Sequence, residues 1–108
     1  MWTYNAHLVR VIDGDTYVLN IDLGFHIWIV EHIRLAGIDT PERGTPGGSE
    51  VMLFVRNWFV NNDDQVLLTT TPAQVKTFDR WVGEVSAGTD NLADALRLAG
   101  HYKAVPGA

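Results

Sequence analysis

His7-Leu8-Val9-Arg10-Val11-Ile12, then Asp13-Gly14-Asp15, then Thr16-Tyr17-Val18-Leu19-Asn20-Ile21 is the stretch that decides the fold. Two runs rich in β-formers flank a short glycine-containing turn, which predicts an antiparallel hairpin. A second turn at Asp22-Leu23-Gly24 leads into a third strand over Phe25 to Ala36. There Phe25, Ile27, Ile29, Ile33 and Leu35 share one parity and His26, Trp28, His32 and Arg34 the other, so Arg34 is expected to point away from the apolar face. Glu31 breaks the alternation and predicts a bulge or bend.

After Pro46-Gly47-Gly48 the period becomes helical. Val51, Phe54, Val55, Trp58 and Phe59 fit one face, with Ser49 expected as N-cap and Asn61-Asn62 as the stop. Gln65 to Thr70 and Trp81 to Val85 read as two more strands. Leu92, Ala95, Leu96 and Ala99 then mark a short helix capped by Gly100. The order βββαββα belongs to the α+β class and is mainly β. It matches a five-stranded barrel of the oligonucleotide-binding type, with one helix inserted after strand 3 and a short C-terminal helix.

At 108 residues and 46% apolar, the chain is read as one domain over 1–108, with roughly 65% of its extended-chain surface buried on folding. No run approaches the roughly 20 apolar residues of a membrane span. Met1-Trp2-Thr3-Tyr4 lacks the marks of a secretory signal, so a cytoplasmic location and no membrane partner are expected. With no cysteine, disulfides, thiolate metal sites and a cysteine nucleophile are excluded. His7, His26, His32 and His101 show no paired metal spacing. A formal charge of −5 is unusual for a nucleic-acid-binding protein, because Lys and Arg normally supply much of the affinity for phosphates. Weak, salt-sensitive binding over a few nucleotides is therefore expected.

Three polar clusters carry the chemistry: Asp13-Gly14-Asp15-Thr16, Arg34 with Asp39-Thr40-Pro41-Glu42, and Phe78-Asp79-Arg80. Singly, the first is an ordinary hairpin turn, the second a helix start and the third says little. Together they supply carboxylates and guanidinium groups able to hold one hard divalent cation beside a phosphate, provided that barrel closure brings them to one rim.

In these clusters the chain resembles the staphylococcal nuclease family. Val11 to Thr16 is similar to the family's first signature, Arg34 to Glu42 to its second, and Asp79-Arg80 with the following strand to its third. Asn91 to Gly100 resembles the family's next helix, so the likeness spans roughly residues 8 to 100. The chain looks like a minimal form lacking the C-terminal helix.

The resemblance implies Ca²⁺ held by the Asp15 and Asp39 carboxylates and the Thr40 backbone carbonyl, with Asp13 close behind; Mg²⁺ and Mn²⁺ stay open as substitutes. Glu42 takes the place of the water-orienting base, and Arg34 and Arg80 those of the two phosphate-binding arginines. The implied activity is endonucleolytic hydrolysis of DNA and RNA phosphodiesters, on single-stranded or frayed DNA, leaving a 3′-phosphate and a 5′-hydroxyl. Phe78 and Tyr102 are candidates to stack on bases, although filler roles suit them as well. A catalytically silent nucleic-acid-binding or protein-interaction barrel is the alternative, and a Ca²⁺-stabilised structural module a third reading. Trp2, Trp28 and Val30 are expected to leave an apolar patch that suggests a homodimer. A degradative site with no export signal suggests a phage-like or intracellular role.

Overall fold

The computed structural model describes residues 2–70 and 80–103. Its elements are β1 (Trp2–Asp13), β2 (Thr16–Asp22), β3 (Trp28–Leu35), α1 (Gly48–Asn61), β4 (Gln65–Thr70), β5 (Arg80–Ala87), β6 (Asp90–Asn91) and α2 (Leu92–Leu98). The strands run in the order β3-β2-β1-β4-β5-β6, and β3 also pairs with β5. The first five strands therefore close into a mixed barrel of the oligonucleotide-binding type.

β1 makes closure possible by serving two neighbours. Trp2 to His7 pair with β4, and Ala6 to Asp13 pair with β2. Register shifts between Leu8 and Arg10 and between Val11 and Asp13 coil the strand as it passes from one partner to the other. The only parallel pairing among these strands closes the barrel, setting His32 beside Arg80 and Arg34 beside Val82. Tyr17, Leu19, Ile33, Leu35, Leu68 and Val85 fill the interior. α1 covers one end with Val51, Met52, Val55, Trp58 and Phe59, and α2 adds Leu92 and Leu96.

The third strand is shorter than expected and carries no bulge at Glu31. Its register with β2 runs unbroken from Trp28 opposite Asp22 to Arg34 opposite Thr16. Phe25 and His26 instead form a turn with left-handed φ values of 54° and 60°, held by Leu23 N–H to Ile27 O and Ile27 N–H to Gly24 O at 2.9 Å each. The Asp22 carboxylate accepts from Gly24 N–H at 2.8 Å and stabilises this reversal. Phe25 is consequently 95% exposed, and Ile27 and Ile29 also face outward. Trp2, Trp28 and Val30 are exposed as expected.

Ser49 is not the N-cap of α1. That place falls to Gly47, which has φ 84° and makes no side-chain cap. The reason lies in the next residue: a Cβ on Gly48 would stand 2.1 Å from the Glu42 carbonyl oxygen, so the helix start is packed directly on the acidic loop. Asn62 ends the helix, donating from its side chain to Trp58 O at 2.8 Å. α2 is capped by Asn91, whose side chain accepts from Asp94 N–H at 3.1 Å, and its exit passes through Ala99 as C-cap and a left-handed Gly100. The two-residue β6 has no counterpart in the expected order, because so short a strand leaves no periodic signal. Among the described residues no helix is long and apolar enough to cross a membrane.

Candidate functional site

The β1–β2 turn is the foundation of the site. Asp13 pairs with Thr16, leaving Gly14 and Asp15 at the tip. Gly14 is required by close approach, since a Cβ there would lie 2.6 Å from Thr40 Oγ1 and 2.8 Å from Val51. The tip is thereby pressed into the joint between the Asp39–Glu42 loop and α1. Tyr17 fixes it from below, its hydroxyl donating to Gly14 O at 2.5 Å.

Asp15 is only 7% exposed, and both its carboxylate oxygens have partners. Oδ1 accepts from the Thr16 hydroxyl at 3.1 Å and Oδ2 from Thr40 N–H at 3.0 Å. Its backbone carbonyl accepts from Leu35 N–H at 2.8 Å, which joins the turn to the end of β3. These contacts fix the Asp15 carboxyl in position at the barrel rim.

Arg34 connects this carboxylate to the next. Nη1 donates to Leu35 O and Ile38 O at 2.7 Å each. Nη2 then faces Asp15 Oδ2 at 3.5 Å and Asp39 Oδ1 at 3.4 Å. The two acids expected to share an ion thus share one guanidinium nitrogen. Arg80 approaches from β5 with Nη1 3.4 Å from Thr16 Oγ1, the hydroxyl that donates to Asp15. Parallel β3–β5 pairing therefore brings Arg34 to the Asp15 carboxylate and Arg80 to the neighbouring Thr16 hydroxyl.

Asp13 lies behind the tip and accepts from Arg43 N–H at 2.8 Å, fastening the loop that carries Glu42. That loop is further tightened by Thr45, which donates to Glu42 O from its N–H at 3.1 Å and its hydroxyl at 2.6 Å. The Glu42 side chain is exposed, and its Oε1 meets Lys103 Nζ at 3.2 Å. Lys103 also donates its backbone N–H to Asp39 O at 2.8 Å and places Nζ 3.9 Å from Asp39 Oδ1. The hydrogen bond to Glu42 is the main cause that raises the Lys103 ammonium above its ordinary pKa of 10.5, against desolvation and with help from Asp39.

The donor set suits a hard cation. Asp15, Asp39 and the Thr40 carbonyl offer oxygen donors only, and a Mg²⁺- or Ca²⁺-type site built on one or two carboxylates would draw its remaining oxygens from water and a phosphate. Among the described residues no group of three or more acidic or histidine side chains is arranged to hold a metal, so the protein's charged share of any shell is small. Thr40 is 1% exposed, with its hydroxyl buried and unpartnered among the described residues.

Tyr102 is half exposed and lines a cavity of about 310 Å³ with Gly37, Ile38, Asp39, Arg97 and Lys103. Phe78 and Asp79 lie outside the described residues. Lys103 and Thr16 are the contacts that reading for catalytic residues passed over. Thr16 stood inside the first motif, whereas a lone lysine after a helix cap carries no pattern. Comparison with protein-family models gives no match, and comparison with curated proteins gives none either.

Proposed function

We propose that the protein is a metal-dependent phosphodiesterase, an endonuclease of the staphylococcal nuclease kind acting on single-stranded or frayed DNA and on RNA. The observation that carries this reading is the single nitrogen, Arg34 Nη2, lying within 3.5 Å of Asp15 and 3.4 Å of Asp39 on the rim that also presents Arg80 and Glu42. Asp15, Asp39 and the Thr40 carbonyl would hold the cation, Ca²⁺ by the family resemblance. When bound, such an ion polarises the phosphate and neutralises its charge.

The chain's own groups supply the rest. Glu42 orients a water and takes its proton as the water oxygen bonds to phosphorus. The P–O5′ bond breaks, the departing oxygen takes a proton from solvent, and the phosphate remains on the 3′ side. Arg34 and Arg80 place planar donors against charge growing on the phosphoryl oxygens. The surplus of acids keeps ground-state affinity for nucleic acid low, in keeping with a net charge of −5.

The same geometry supports a silent nucleic-acid-binding barrel as a second reading, because one Arg34 nitrogen is committed to two backbone carbonyls. Replacement separates the two. Glu42→Gln and Arg80→Ala are each expected to lower cleavage of denatured DNA by at least about 100-fold with the circular dichroism spectrum unchanged. Unchanged turnover in either variant would remove that residue from its role, and binding without cleavage by the unaltered protein would favour the silent barrel.

A further inference from the structure

No motif marks Lys103, yet the fold delivers it to the centre of the acidic loop. The left-handed Gly100 turns the chain off α2, and the Lys103 N–H to Asp39 O bond of 2.8 Å pins the lysine backbone beside that loop. Its ammonium then lies 3.2 Å from Glu42 Oε1 and 3.9 Å from Asp39 Oδ1. A monovalent cation belonging to the chain thus stands between a proposed ion ligand and the proposed water-orienting group.

We infer that Lys103 is the resident counter-cation of this site: it holds Asp39 and Glu42 in the metal-free protein and sets the affinity for a divalent ion by competing for the same carboxylates. The inference rests on the phosphodiesterase reading. Its logic is electrostatic. Asp39 and Glu42 repel each other and any further acid nearby, and the ammonium offsets that repulsion. A divalent ion entering at Asp39 repels the ammonium in turn, so the Lys103 contact weakens as the ion is taken up.

Arg34 also touches Asp39, but its other nitrogen is fixed by the Leu35 and Ile38 carbonyls. Lys103 carries a compact ammonium on a flexible stem and meets carboxylates that are 61% and 69% exposed. It is the cation that can yield. Because such exposed pairs contribute little to folding, its effect belongs in ion affinity rather than in stability.

The test is calorimetric titration of the full chain with CaCl₂, alongside amine labelling of Lys103 followed by mass spectrometry. Lys103→Met is expected to tighten Ca²⁺ binding about fivefold, the equivalent of one exposed ion pair. Lys103→Arg should stay within about twofold of the unaltered protein, as should Arg43→Gln, which removes the same charge from the residue next to Glu42. Lys103 should label faster in Ca²⁺ than in chelator. Circular dichroism checks each fold, and Lys103→Gln replaces the Met variant if that one is disturbed. Equal or weaker Ca²⁺ binding by the charge-removing Lys103→Met or Lys103→Gln variant, or equal tightening by Arg43→Gln, overturns the inference and leaves the phosphodiesterase reading standing. Absence of both Ca²⁺ binding and cleavage in the unaltered protein overturns both.

Discussion

Gly14 shows how little space the site leaves. Its α-carbon packs where any side chain would meet the Thr40 hydroxyl and both Val51 methyls, and Gly14 is not among the glycines with positive φ. Steric access, not turn type, selects glycine here. Gly14→Ala is expected to cost about 1–3 kcal/mol, read as a lower denaturant midpoint at an unchanged slope. An unaltered midpoint would show that the loop and α1 yield without cost. At this scale much of the site was legible, because Asp13, Asp15, Arg34, Asp39 and Glu42 sit in ordered motifs whose residue types are those the chemistry needs. What the motifs did not contain was the wiring. That Asp15 is bonded by Thr16 and Thr40, or that Lys103 reaches Glu42, depends on segments that meet only after folding.

At the level of elements, the hairpin and β4 followed directly from alternation bounded by turn residues, whereas the start of β3 did not. Phe25 and Ile27 keep the strand's parity, yet the Asp22 carboxylate and Gly24 turn the chain there, and parity alone cannot distinguish an apolar turn from an apolar strand. The start of α1 differs for a related reason: Ser49 is a good cap by type, but the packing of Gly48 on the Glu42 carbonyl sets the cap at Gly47, two residues earlier. Tyr17 joins two of these elements, donating from β2 to the hairpin tip and packing edge-on against Phe59 of α1 with ring centroids 5.4 Å apart. Burial, reinforced by the Asp15 charge, raises its pKa well above the ordinary 10.0, while Arg34 acts in the opposite sense. A raised folded-state value means that the stabilising contribution is complete below the unfolded value and is lost as pH climbs above it. Stability is therefore expected to fall above about pH 10, with the phenolate absorbance that Tyr17→Phe removes appearing only together with loss of near-ultraviolet circular dichroism. Ionisation of Tyr17 in a protein that keeps its near-ultraviolet spectrum would contradict this.

For the whole molecule, closure of the sheet is what brings Asp15, Arg34 and Arg80, from three separated segments, to one rim. β3 meets β5 in parallel, so Arg34 and Arg80, far apart in sequence, flank the turn between β1 and β2. The count of strands and the inserted helix pointed to a barrel, but the rim depends on strand order and register, which no local pattern encodes. Asp13, Asp15, Asp39 and Glu42 gather there with Arg34, Arg80 and Lys103, so the balance is tipped toward negative charge, which the proposed dication would offset. The most direct test of that account is incubation of the unaltered protein with heat-denatured DNA in Ca²⁺, with and without chelator. Fragments bearing 3′-phosphate and 5′-hydroxyl ends in Ca²⁺, and intact DNA in chelator, are the predicted result. DNA left intact in both, or cut equally in both, would contradict it.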